Sequence, residues 1–201
     1  MNGTRWVIKY ALFFSLACFY GSVASQQNAE HLSQEQLEAR QNIFERAKKR
    51  LEDAARHSAV TWIKVSCADF NIIRFIALTP KDLDRVVRYT HNIQKDRTDL
   101  QSLLPALQRT RLKGLLGHSV EPRLAVTLYD AENMRLVSIY MTPGGSLGYI
   151  NLTPVVFEET SGDVYDWLYK NFASCFENNH DLYEKRQERI LQKQTQEGYS
   201  P

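Results

Sequence analysis

The stretch GGSLG, residues 144–148, spells Gly-x-Ser-x-Gly, the pattern in which a serine held on a strained strand-to-helix turn becomes a nucleophile. That chemistry needs a strand before Ser146, a helix after it, and oxyanion donors beside it. Downstream stands LGYINL, which alternates like a strand, so the glycines read as a hairpin loop and Ser146 as a turn residue. The histidines offer no better centre. His31, His57, His91, His118 and His180 are scattered, no two stand three to five residues apart, and His-Glu-x-x-His is missing. Carboxylates gather in EETSGDVYD, where Glu158, Glu159, Asp163 and Asp166 could share acid–base work or hold calcium. The alternating Asp/Asn loop with its distal glutamate is missing, so Asp163 and Asp166 are read as favouring the positive end of a following helix. There is no phosphate-cradling glycine loop and no dinucleotide fingerprint. The expectation is therefore no catalytic residue, no metal ligand and no cofactor.

Three cysteines remain. Cys18 lies in SLACFYGSVAS, after a segment that carries Arg5 and Lys9 and no acid, and within an apolar run from Tyr10 to Tyr20 broken only by Ser15. This is the layout of a secretory signal, with cleavage expected after Ser25 or Ala24. The run falls short of the ~20 apolar residues of an uninterrupted membrane span. Ser15 stands where a lipidated cysteine would be preceded by leucine. With residues 1–25 removed, Cys67 and Cys175 are left in an oxidising compartment and are expected to form one disulfide.

The whole chain has 25 Lys and Arg against 23 Asp and Glu, and residues 1–25 hold two of the bases and none of the acids. The remainder is formally neutral, with no net field to hold nucleic acid or an anionic membrane. Charge is nevertheless uneven. Between Lys81 and Lys113 bases outnumber acids, and from Glu158 to Glu188 acids dominate. Either the two stretches neutralise each other as solvated faces, or the basic one steers an acidic protein partner. On the second reading Arg85, Arg88, Arg109 and Arg111 are the contact residues, because a planar guanidinium suits bidentate contact with carboxylates. Asn151 in NLT fits a glycosylation acceptor, though at the end of a strand.

The elements that position these residues follow from periodicity. Ser33 and Gln36 have capping-box spacing ahead of a helix whose Leu37, Phe44 and Leu51 recur every seven residues. AVTWIKVS and FNIIRFIAL read as strands. TPKD starts a helix with Thr79 as cap, Pro80 at the first turn and a stripe of Leu83, Val86, Val87, Thr90 and Ile93. On that helix Arg85 and Arg88 would share an exposed face. A further helix near 97–112 contains Pro105, GLLGHSVEP is loop, and RLAVTLY, RLVSIYMT and LGYINL form an antiparallel meander. SGDVYDWLYKNFASCF is a helix with Val164, Trp167, Leu168, Phe172 and Cys175 on one face.

The expected fold is a single α+β domain: an antiparallel sheet of about five strands, with a C-terminal three-stranded meander, packed with helices and flanked by charged terminal helices. Its expected divisions are a signal at 1–25, an amphipathic helix at 26–58, a core at 59–177 and a polar helix or tail at 178–201. The expected function is an exported, periplasmic, non-enzymatic domain that binds another protein, as an inhibitor or immunity-type factor or an accessory part of an envelope assembly. The rival readings are a secreted hydrolase with Ser146 or a dispersed site, and a structural protein that oligomerises through its terminal helices.

Overall fold

In the computed structural model the described residues are 34–56, 60–68, 77–85, 87–92, 97–177 and 179–197, with backbone alone for 87–92, 97–101 and 197. The signal segment with Cys18, the Ser33 cap, His31, His57 and most of FNIIRFIAL lie outside them. The chain divides into two compact units, Met1–Gln41 and Asn42–Pro201. Of the first, the described part is the start of helix α1 (Gln34–Arg56).

The second unit is built on a seven-stranded sheet: β1 (Trp62–Cys67), β2 (Val87–Asn92), β3 (Arg111–Leu115), β4 (Leu124–Tyr129), β5 (Arg135–Met141), β6 (Leu147–Ile150) and β7 (Thr153–Glu158). Their order is β2-β1-β4-β5-β6-β7-β3, and every pairing is antiparallel. Helices α2 (Pro80–Leu83), α3 (Arg97–Arg109), α4 (Val164–Asn171) and α5 (His180–Glu197) complete the α+β fold, with a 3-10 turn at Ala173–Phe176.

The meander forms as its turns dictate. Asp130 Oδ1 accepts from the backbone N–H groups of Glu132 and Met134, and Asn133 takes φ 61°, closing β4 onto β5. Gly145, at φ 74°, closes β5 onto β6, and a Cβ there would run into the Tyr165 ring. The meander has a fourth strand, because Asn151 at φ 55° turns the chain back into β7. Asn151 Oδ1 also accepts from the Ser138 N–H, so this sequon residue serves the turn. Pro154 conceals β7 in the sequence. Its carbonyl accepts from Leu116, just past the end of β3, so the missing N–H falls at the margin of the ladder.

Two expected helices are cut short by strands. The TPKD helix has its capping box, with Thr79 Oγ1 accepting from the Asp82 N–H and the Asp82 carboxylate from the Thr79 N–H, but it ends at Leu83. Val87–Asn92, rich in β-branched and aromatic residues, pairs with β1 instead. The helix near 97–112 ends at Arg109, and RLKGL becomes β3, paired to β7. The last core helix is likewise divided, α4 stopping at Asn171 before the 3-10 turn.

One face of the sheet carries Ile63, Val65, Leu124, Val126, Leu128, Val137, Ile139, Val155 and Phe157, which form a single core with α1, α3 and α4. The strand alternation and the helical stripes meet there, and burial of this surface is the main drive to fold. Cys67 and Cys175 lie in the same core and form a disulfide, with Cα atoms 5.6 Å apart, that ties β1 to the 3-10 turn.

Candidate partner-binding face

The sequence SGDVYD folds into an acid-rich helix start. Asp163 caps α4, its Oδ1 accepting from the N–H groups of Tyr165 (3.0 Å) and Asp166 (3.2 Å), and Asp166 Oδ2 accepts from the Gly162 N–H at 2.6 Å. Into this start α5 inserts Arg186, which is fully buried. Its Nη2 donates to Asp163 Oδ2 at 2.5 Å and its Nη1 to Asp166 Oδ1 at 2.8 Å, while the guanidinium lies 4.8 Å from the centre of the Tyr165 ring. Gln187 Nε2 adds a bond to Asp166 Oδ1 at 2.8 Å. Burial pushes Asp163 up to about 6, outweighing the attraction of Arg186, and the neighbouring Asp166 adds to the rise. Burial also raises the Tyr165 hydroxyl.

One turn further along α5, Arg189 bonds both oxygens of Glu159 at 2.6–3.2 Å, and Lys193 approaches to 3.8 Å. The hydrogen bonds from Arg189 hold Glu159 below the ordinary glutamate range. On the sheet's other face Asp84 accepts from Arg135 Nη2 at 2.9 Å and from the Tyr140 hydroxyl at 2.8 Å, while Lys64 Nζ reaches the Asp84 carbonyl at 2.7 Å. Burial pushes Tyr140 up to about 12. Every donor here ties the turn after α2 to β1 or β5.

These contacts decide where charge is left exposed. The acids at Glu159, Asp163 and Asp166 are matched by bases of α5, and among the described residues none of the bases of 81–113 forms an ion pair with them. Arg85 is exposed in the turn after α2, and Arg88 lies on β2, so they are not one helical turn apart and the shared helical face drawn from the sequence does not exist. Arg109 and Arg111 do come together, at the end of α3 and the start of β3, with Thr110 between them. The backbone there is held firmly. The Arg109 carbonyl accepts from Thr160 Oγ1 at 2.9 Å, and Thr110 Oγ1 donates to the Ala106 carbonyl and accepts from the Val164 N–H. Arg109, Arg111 and Lys113 are all exposed.

Beside them runs an open groove of about 540 Å³ between the last turns of α1 and the α3–β3 junction. Leu51, Ala55, Leu107 and Leu112 form its apolar part; Lys48, Arg56 and Arg111, with Glu52 and Glu158, form its charged rim. Arg56 is occupied by Glu52 at 3.3 Å. Lys48 and Arg111 have no ion pair among the described residues.

Ser146 occupies the β5–β6 hairpin turn, followed by strand β6 and not by a helix, so it lacks the geometry of a nucleophile elbow. A fluorophosphonate probe should leave it unlabelled, and Ser146→Ala should change stability by less than ~0.5 kcal/mol. Stoichiometric labelling at Ser146 would reverse that assignment. His118 is exposed in a loop and His180 Nδ1 pairs with the Tyr169 hydroxyl at 3.0 Å. Among the described residues no three His, Cys, Asp or Glu converge as a metal site, and no helix is long and apolar enough to cross a membrane.

Comparison with protein-family models, characterised proteins and solved structures gives no match.

Proposed function

We propose that this chain is an exported, periplasmic domain that works by binding another protein through its basic face, without catalysing a reaction. The observation that carries the reading is the disposition of charge. Glu159, Asp163 and Asp166 are occupied by α5, while Arg109, Arg111 and Lys113 stand exposed on a backbone anchored at Thr110 and Thr160. Guanidinium groups so placed raise the rate of encounter with an acidic surface and fix its register by bidentate contact. Export is supported by the Cys67–Cys175 disulfide, a bond that persists in oxidising compartments. The terminal helices bury Ala47, Leu51, Ala54 and Ala55 of α1 and Arg186 and Ile190 of α5 within the second unit but leave Leu37, Ile43 and Leu191 exposed, so oligomerisation through them stays the rival reading.

The test immobilises the oxidised chain, passes periplasmic extract of the source organism over it, and elutes with salt. One protein should be retained in stoichiometric amount, should leave at moderate ionic strength, and should bind the Arg109→Glu, Arg111→Glu double variant with a much reduced association rate. Retention of nothing, or of a protein indifferent to both salt and charge reversal, would sink the proposal.

A further inference from the structure

Helix α5 is attached to the domain mainly by polar side chains. Among its described side chains only Arg186 and Ile190 are buried, and Leu191 stands in solvent, whereas α4 buries Val164, Tyr165, Asp166, Trp167 and Leu168. Such a helix gains little from apolar burial, which is what ordinarily fixes a helix on its core. Its attachments are the bonds of Arg186 to Asp163 and Asp166, that of Gln187 to Asp166, the pair of Arg189 with Glu159, and the stack of Tyr183 on Tyr169. Arg186 is incompletely satisfied, since its Nε is buried and has no acceptor among the described residues. The rest of the fold closes without α5: the seven strands pair with one another, and the Cys67–Cys175 disulfide fixes the chain just before this helix. Elements held in this way open at lower cost than the core they lie on.

We infer that α5 is a proton-sensitive strap: it lifts from the start of α4 as a unit while the sheet stays folded, and it closes more tightly in mild acid. The sign comes from the geometry of the cluster. Two buried carboxylates share one guanidinium, so the closed strap encloses one negative charge in excess, and a proton taken up there relieves it. Asp163 takes that proton in the closed state, burial having raised it from 3.8 to about 6. The groups facing it are Asp166 and Tyr165 on α4 and Arg186 and Tyr183 on α5; both tyrosines are raised, so they stay neutral through pH 7 and add no slope. Glu159, on the segment before α4, is held low by Arg189 with Lys193 nearby, and acts only at lower pH. From the α3–β3 junction the Arg109 guanidinium lies over Gly162, where a Cβ would stand 2.7 Å from its Nη1. Lifting of α5 strips Glu159, Asp163 and Asp166 of their cations on the segment that carries Gly162. The strap therefore sets how much negative charge stands beside the basic face.

Hydrogen exchange of the oxidised full chain, corrected for intrinsic rates, tests it. Amides of residues 183–190 should exchange through an opening that β1 and β4 do not share. The opened fraction should rise about tenfold from pH 5 to pH 7, the change expected when a group at about 6 in the closed state returns to 3.8 in the open one. Asp163→Asn keeps the cap and the uncharged form of the cluster, so it should remove that rise. Arg189→Gln should raise opening about threefold at both pH values and leave β1 and β4 unchanged. Exchange of residues 183–190 in step with β1 and β4, a wild-type opening that is the same at pH 5 and pH 7, or a rise that persists in Asp163→Asn overturns the inference.

Discussion

Arg186→Met should cost about 3–5 kcal/mol, enough to lower the melting temperature by roughly ten degrees or more in a domain of this size. Arg186 is fully buried, and its removal leaves the buried carboxylates of Asp163 and Asp166 without the one cation they share. The loss belongs to the abandoned partners more than to the pair's own net strength. A triple variant that adds Asp163→Asn and Asp166→Asn should therefore recover much of the stability, since asparagine still caps α4 at 163. Urea unfolding of wild type, single and triple variants decides it, and a single variant within ~1 kcal/mol of wild type would show that the cluster is not closed to water.

The same cluster sets a pH dependence of defined sign. Asp163 is raised from 3.8 to about 6 by burial, so the folded state binds a proton more tightly than the unfolded chain does. Its contribution is fully present below about pH 4 and is lost as pH rises through about 6, an effect on the order of 3 kcal/mol. Glu159, lowered by Arg189, acts oppositely: its contribution is present above its ordinary range and is lost as pH falls through the lowered value. Besides Arg186 and Asp166, the titratable groups that act on Asp163 among the described residues are Tyr165 on its own helix and Tyr183 on α5. Asp163→Asn should flatten the profile between pH 4 and 6 and leave the decline at lower pH in place.

Removing the disulfide is the second large effect. Cys67 and Cys175 are separated by 108 residues, and release of so long a loop in the unfolded chain should cost about 4–5 kcal/mol on the chain-entropy account. Cys67→Ala with Cys175→Ala should therefore melt well below the wild type, and reductant should lower the wild type to nearly the same temperature. Both sulfurs are buried in the core, so native protein should resist reduction until it opens. Non-reducing peptide mapping must return the Cys67–Cys175 cross-linked pair; two alkylatable thiols in the native protein would contradict it.

The two effects share a structural reason. The disulfide and the Arg186 cluster hold the C-terminal part of the domain at two points, the 3-10 turn against β1 and α5 against the start of α4. The aromatic stack of Tyr169 on Tyr183, 3.6 Å between ring centres, adds a third contact between α4 and α5. With α5 so held, its bases stay on the acids of residues 159–166, and the basic side chains at 109–113 remain exposed.

What the sequence alone determined was local chemistry. The cap at Thr79, the turns at Asp130–Asn133 and Gly144–Gly145, the inward helical stripe of Val164, Trp167 and Leu168, and the pairing of Cys67 with Cys175 all follow from residues whose preferences are satisfied within a few positions or by elimination. The α+β class followed as well, because alternation and helical stripes are both written in short windows. What only the tertiary structure decided was pairing. Val87–Asn92, RLKGL and TPVVFE became strands because β1, β6 and β7 offered ladder partners, and no local preference reports the existence of a partner distant in sequence. The charges behaved alike. Asp163 was legible as a helix cap, but its bond to Arg186 spans 23 residues, and nothing in a polar helix distinguishes the one arginine that is buried from those that are solvated. Which acids are consumed inside the domain, and hence which arginines are left exposed, is fixed by packing, since the energy of a charge depends on what surrounds it in space and not along the chain.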